Sequence, residues 1–285
     1  MFRKLLGIAP KLESDGSYSP SKVALKLAVP SKTDYEKVSY GKYSGSKKNI
    51  LIIFTEQKNM TMKNGKKFST GNHPVETILP LLHLKEAGFD FRFVTPTGKP
   101  VVMEMWAMPS EDQEVLNFYN EYKKQFEQPE SLEDFAQSLA EEQSFSAIFI
   151  PGGHGSMLGL PEDKNLTSVL NWANQNDLYT ISICHGPAAL LAAVLESSEF
   201  IYKGYKMAVF PDSVDKQTPI VGYMPGHMPW MFGEKLKELG VTIVNKKSDK
   251  TTCIDRKLIT GASPLAANEL GKLAAKTLLK KDRTN

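Results

Sequence analysis

From residue 49 onward the chain alternates two hydrophobic textures. One is the short continuous apolar run, seen at "NILIIFTE", "FDFRFVTP", "SAIFIPGG", "LYTISICH", "KMAVFPD", "VTIVN" and "KLITGAS". Runs of this length without alternation suit strands buried on both faces. The other texture has helical spacing, at "HPVETILPLLHLKEAG", "LTSVLNWANQND", "GPAALLAAVLESS", "MFGEKLKELG" and "LAANELGKLAAKTLLKK". Strands alternating with helices predict an α/β fold, a mostly parallel sheet sandwiched by helices.

Two stretches depart from this pattern. Residues 1–48 are polar, with Ser, Lys, Tyr and Gly clusters, and read as an extended arm. Residues 100–142 carry a Met/Trp cluster, "VVMEMWAMP", and then two charged amphipathic helices, more than a βα crossover needs. They read as an insertion that pairs with the arm as a smaller cap domain. The core then comprises residues 49–99 and 143–285. No internal repeat and no low-complexity segment occurs.

Composition narrows the class. At 285 residues, with 41% hydrophobic and 24% charged residues, the chain can bury a full core. A net charge of +3, spread along the chain, gives no nucleic-acid footprint. Two cysteines, Cys184 and Cys253, cannot form a disulfide framework and suit a reducing compartment. The N-terminal apolar run is too short for a signal peptide, and no run is long enough to cross a bilayer. A cytoplasmic location is expected.

In open parallel sheets ligands bind beyond the carboxyl ends of the strands, and the reactive residues sit at such ends. "SICHG" has the x-x-Cys-x-Gly form of a nucleophile elbow, where a sharp turn exposes a side chain before a helix. A helix N-terminus there would favour the thiolate of Cys184. The bland alternative is a buried structural thiol; the adjacent His185 argues against it. Gly152 and Gly153 in "IPGGHG" can bring backbone N–H groups close to an oxyanion, although a Gly-Gly turn is often only a turn, and His154 can be a turn residue. Asn72 is a candidate N-cap for a helix whose first turn holds Glu76, either a dipole-stabilising carboxylate or a site acid. In "FPDSVD" either Asp212 or Asp215 could orient His185, and both could be solvated. Cys253 has no neighbouring His and reads as incidental. Glu76 and His83 are about 10.5 Å apart along a helix axis, too far to share an ion, and no recognisable metal motif occurs.

Together "STGNHPVET", "WAMP", "IPGGHG", "SICHGPAAL", "FPDSVDKQTP", "GYMPGHMPW" and "DRKLITGASPLAANELGKLAA" resemble the HchA-type branch of the PfpI superfamily, from about residue 17 to residue 280. The resemblance implies a flavodoxin-like core with a cap, a homodimer, and a Cys-His-Asp site joined by a Glu. Cys184 would be the nucleophile, His185 its neighbour, Asp215 the triad acid and Glu76 the carboxylate beside the thiol. Gly152 and Gly153 would supply the oxyanion N–H groups. Family members can carry zinc on two His and one Glu between core and cap. The matching positions here are Lys85, Asp90 and Tyr122, a poor donor set because an ammonium has no lone pair. The expectation is therefore no metal and no cofactor.

The implied activity is that of a glyoxalase III, turning methylglyoxal and related 2-oxoaldehydes into 2-hydroxy acids, with protein and nucleotide deglycation by the same thiol. Two alternatives stand beside it. A stress holdase binding unfolded proteins would use the Met/Trp cluster. A cysteine peptidase would use the same triad. A class I amidotransferase needs a His-x-Glu, and none of the five histidines provides one.

Overall fold

Ile50, Leu51, Ile52 and Ile53 are all fully buried. Successive side chains of a strand point to opposite faces, so each face needs its own cover. Leu51 and Ile53 pack with Leu166, Val169 and Leu170 of helix Lys164–Gln175. Ile50 and Ile52 pack with Ile78 and Leu79 of helix Pro74–Glu86 and with Leu270 and Ala274 of helix Ala267–Asp282. This two-sided burial is why the strands read as unbroken apolar runs. The structure is a computed structural model and describes residues 6–196 and 199–282. Residues 1–5 of the expected arm, Ser197 and Ser198 of the helix expected after Cys184, and residues 283–285 of the expected core lie outside the described residues.

The main sheet contains, in chain order, β1 (Asn49–Ile53), β2 (Asp90–Thr95), β3 (Glu130–Ser131), β4 (Phe145–Ile150), β5 (Tyr179–Ile183), β6 (Thr252–Asp255) and β7 (Leu258–Gly261). Their spatial order is β6-β7-β5-β4-β1-β2-β3. The β6–β7 pair is antiparallel and every other pairing is parallel. This is the α/β sandwich that the hydrophobic pattern predicts. Helices Pro74–Glu86 and Ala267–Asp282 approach closely at Gly271, where an added Cβ would lie 2.9 Å from Pro80 Cα.

Some elements differ from expectation. "KMAVFPD" and "VTIVN" do not enter the main sheet; Lys206–Met207 and Thr242–Ile243 pair only with each other. Side chains take over the backbone groups that a longer ladder would use. Thr260 Oγ1 accepts from the Ala208 N–H, and the Asn245 amide bonds both the N–H and the C=O of Val209. "GPAALLAAV" winds as a 3-10 helix, Gly186–Val194, rather than an α-helix.

The arm is less extended than its composition suggests. It holds helix Lys22–Ala28, capped by Ser21 Oγ, which accepts from the Ala24 N–H at 3.1 Å. Lys11–Leu12 and Tyr18–Ser19 join the hairpin Asn59–Thr61/Lys67–Ser69 in a separate four-stranded sheet. Residues 100–142 divide between two places. Their helices Gln113–Glu121 and Lys123–Glu127 lay Phe118 and Phe126 against Phe91 and Phe93 of β2. β3 extends the sheet beyond β2, and Phe135 of Leu132–Gln137 packs on Phe145 and Trp172. Glu104 and Ala107, by contrast, line the same cavity as arm residues 27–30.

Candidate functional site

Cys184 follows β5 at a left-handed backbone position, φ +59. Such a φ costs a side-chain-bearing residue about 1–2 kcal/mol and is held by neighbours. The Cys184 N–H donates to the Gly261 carbonyl at 2.8 Å, and its own carbonyl accepts from the Phe210 N–H at 3.0 Å. Gly186 permits the tight exit, because a Cβ there would lie 2.5 Å from both the Ile150 carbonyl oxygen and Ser182 Oγ. This is the elbow geometry expected from "SICHG".

A relay runs from the thiol. Cys184 Sγ lies 3.2 Å from His185 Nδ1, and His185 Nε2 lies 2.8 Å from Asp215 Oδ2. With Asp215 accepting the Nε2 proton, Nδ1 is left bare to accept from the thiol. The other Asp215 oxygen, Oδ1, meets His154 Nε2 at 3.1 Å, and the two imidazole centroids are 3.8 Å apart. Burial alone would raise Asp215, but the paired histidines outweigh it and hold the carboxyl far below the usual range. The question between the two aspartates resolves structurally. Asp212 accepts from the Gly233 N–H at 3.1 Å, at the start of helix Phe232–Glu238, and not from His185.

Glu76 sits in the first turn of helix Pro74–Glu86, whose N-cap is His73 rather than the expected Asn72. The Asn72 side chain instead bonds the Thr55 N–H and the carbonyls of Thr55 and Val102. Glu76 is fully buried, and neither carboxyl oxygen has a well-formed hydrogen bond. Cys184 and the Gly153 N–H are nonetheless close enough to act on its ionisation. Burial pushes Glu76 up to about 8, against the pull of Cys184, and Glu104 pushes it further. A residue serving only the helix dipole would be solvated and ionised, so the first-turn position is not the whole account of this carboxyl.

The same surroundings reverse one expectation. Burial, followed by the neighbouring Glu76, pushes the Cys184 thiol well above its ordinary value, so the turn after β5 does not favour a resting thiolate. Gly152 packs against this pair, since a Cβ there would lie 2.1 Å from Glu76 Oε2 and 2.8 Å from Cys184 Cβ. Gly153 has φ +99 and lines the cavity with its N–H toward Glu76.

The cavity over the thiol measures about 660 Å³. Its polar groups include His73, Glu76, Glu104, His154, Cys184, His185 and Tyr223. Leu27, Val29 and Pro30 of the arm, with Val221 and Leu265, contribute an apolar wall. A larger groove, about 990 Å³, between residues 139–145 and 168–176 is lined by neither His nor Cys. Glu104 and the relay role of His154 were not foreseen in the sequence. His154 follows β4, at the kind of strand end where ligands bind, and Glu104 is the one acid inside the apolar "VVMEMWAMP".

A model of the DJ-1/PfpI family matches residues 68–216, more than half of the chain and the whole span from Glu76 to Asp215. The chain belongs to the DJ-1/PfpI family. It is 46% identical over 268 residues, 94% of each chain, to a protein/nucleic acid deglycase HchA from Escherichia coli. Among solved structures it is similar to REP24 of Francisella tularensis, with a TM-score of 0.67 and 23% identity, covering 81% of this chain and 99% of that one. Glyoxalase III from Candida albicans matches with a TM-score of 0.59 and 21% identity, covering 81% and 98%. These two likenesses show the fold.

Lys85, Asp90 and Tyr122, where the resemblance would place zinc ligands, are engaged with other side chains. Lys85 Nζ lies 2.5 Å from both Glu121 carboxyl oxygens and over the rings of Phe118 and Tyr122. Asp90 pairs with Lys48 at 3.0 Å. The pairing of Lys85 with Glu121 ties helix Pro74–Glu86 to helix Gln113–Glu121.

Two measurements check this electrostatic picture. Alkylation of Cys184 by iodoacetamide should be slow near neutrality and still climbing from about pH 7 to about pH 10, because the thiolate reacts; a plateau reached near pH 6 would contradict the raised thiol. Prolonged EDTA treatment should leave Tm within about 1 °C of its untreated value, since a bound structural ion adds stability by mass action, and a drop of several degrees reversed by zinc would contradict the Lys85 assignment.

Proposed function

We propose that this protein is a glutathione-independent glyoxalase and deglycase, acting on methylglyoxal and related 2-oxoaldehydes and on their adducts with proteins and nucleotides. The observation that carries the reading is the convergence on one thiol of two proton-handling systems, the His185–Asp215 pair and the buried Glu76. A hydrolase triad alone would not require the second. The HchA relatives support the deglycase side by their name.

In this reading His185 Nδ1 takes the proton from Cys184 as sulfur adds to the aldehyde carbon, so a thiol that rests protonated ionises only as it reacts. Asp215 stabilises the imidazolium formed. The developing oxyanion would draw on the backbone N–H groups at Gly152 and Gly153, the latter shared at rest with Glu76. Glu76 then takes a proton from the carbon bearing sulfur, exchanges it with solvent, and delivers a proton to the neighbouring carbon of the enediol. Its raised ionisation suits this shuttle, because a group that titrates near working pH can both accept and give a proton. The aldehyde carbon is oxidised to a thioester while the ketone carbon is reduced to an alcohol. That internal balance requires no redox cofactor, and hydrolysis of the thioester releases the 2-hydroxy acid. The same attack on the carbon of a hemiaminal would release the amine.

The reading includes a cytoplasmic homodimer, with the arm and residues around Glu104–Ala107 acting as the cap over the cavity. Among the described residues no helix is long and apolar enough to cross a membrane. The holdase alternative draws little support from the Met/Trp cluster. Trp106 donates to the Ser69 carbonyl and packs on Phe68 and Tyr223, and Met105 is the one large apolar side chain of the cluster that is more than half exposed, at 52%. A peptidase needs a groove for an extended backbone, whereas Cys184 and His185 are 4% and 1% exposed.

Lactate formation from methylglyoxal without glutathione tests the proposal. Wild type should be active, Cys184→Ala should lose essentially all turnover, and Glu76→Gln should fall by about 10²–10⁴-fold, the usual weight of a positioned acid-base group. A folded, reduced but inactive wild type would overturn the reading.

A further inference from the structure

Glu104 is a second carboxyl in the cavity that the mechanism above does not use. It is 1% exposed and lines the same space as Cys184, Glu76 and His154. One oxygen is fixed, Oε1 accepting from Thr70 Oγ1 at 2.6 Å. The backbone is fixed as well, with the Glu104 N–H donating to the Asn72 carbonyl at 3.0 Å and its carbonyl accepting from the Ala107 N–H at 2.7 Å. Oε2 is buried without a well-formed hydrogen bond, although the Gly71 and His154 N–H groups lie close enough to the carboxyl to act on its ionisation. Leaving a buried acceptor poorly paired is destabilising, and glutamine or a small apolar residue would avoid burying an acid. An anchored carboxyl with one oxygen lacking a well-formed bond on a reactive cavity has the form of a group kept for a ligand.

We propose that Glu104 is a second catalytic acid-base residue, serving the substrate oxygens while Glu76 serves the carbon skeleton. The proposal rests on the glyoxalase reading. In the hemithioacetal, Glu104 gives its proton to the ketone oxygen as Glu76 removes hydrogen from the carbon bonded to sulfur, and a carbon–carbon double bond forms. The enediol has two adjacent hydroxyls. Glu76 next protonates the former ketone carbon, and the Glu104 carboxylate recovers a proton from the hydroxyl on the sulfur-bearing carbon, which becomes the thioester carbonyl. Both carboxyls return to their starting states, and no outside oxidant or reductant is consumed.

Burial leaves both carboxyls able to hold or release a proton near neutrality. Burial pushes Glu104 up to about 7, against the pull of His154, Thr70 and the N–H groups of Gly71 and His154. Glu76 is pushed up to about 8. Both carboxyls thus exchange protons near neutrality, and the reacting arrangement, with the proton on Glu104, is one of the two that a single shared proton allows.

Steady-state kinetics of Glu104→Gln and Glu104→Asp, beside wild type, test the assignment. Glu104→Gln should lower kcat by about 10²-fold with KM changed by less than about threefold, and Glu104→Asp should recover part of the loss. Tm of Glu104→Gln should hold or rise, because glutamine removes a buried ionisable group. A kcat within about threefold of wild type would overturn the proposal, as would a fall in Tm that accounts for lost activity with no rescue by Asp. An inactive wild type whose Cys184 still alkylates would instead sink the glyoxalase reading, and this proposal with it.

Discussion

The site depends on the Asp215 carboxylate, 1% exposed, and on the two imidazoles that share it. A charge buried this far from water is tolerable only when its oxygens are hydrogen-bonded. Here one oxygen takes His185 and the other takes His154, and these histidines come from different strand ends. The turn 212–215, the end of β4 and the end of β5 are therefore pinned to one another through a single carboxyl. Its consequence for chemistry is the tautomer of His185. With Nε2 donating to Asp215, the lone pair on Nδ1 faces the thiol, and a flipped tautomer would set N–H against S–H.

That arrangement coexists with surroundings that oppose ionisation. His73 is pushed down to about 3 by burial and by His154 and His185, with its Nδ1 buried and unpaired. Glu76, Glu104 and the Cys184 thiol are all pushed toward their neutral forms by the same dryness. At rest the cavity thus holds few charges but many groups able to gain or lose a proton. Such a site reacts by moving protons in concert with bond formation rather than by storing a thiolate. A protonated resting thiol is also less exposed to oxidation, since the thiolate is the reactive species.

Much of this was legible in the residues. The runs at β1, β4, β5 and β7 announce themselves because both faces of each are buried, and the elbow is written in the Cys184–His185–Gly186 order at the end of one of them. What escaped was set by side chains reaching across the fold. Thr260 and Asn245 take up the backbone groups of Ala208 and Val209 and so end a strand that the local pattern would continue. Asn72 looks like a cap and instead binds β1's exit at Thr55. The hairpin at residues 59–69 was missed although Asn64-Gly65 is a turn signal, with Gly65 at φ +78. The preference between Asp212 and Asp215 came from the family resemblance, because residues three apart in one short turn differ only in what the rest of the chain places beside them. The thiol's ionisation is harder to read from sequence, because a helix N-terminus is visible there whereas burial beside a second acid is not.

The most direct test of the account is the isotopic content of lactate made from methylglyoxal in heavy water. Transfer through an enediol and a titrating carboxyl predicts deuterium at the carbon that carries the hydroxyl. Lactate bearing only protium there would mean direct hydride transfer between the two carbons, and the role given to Glu76 would be wrong.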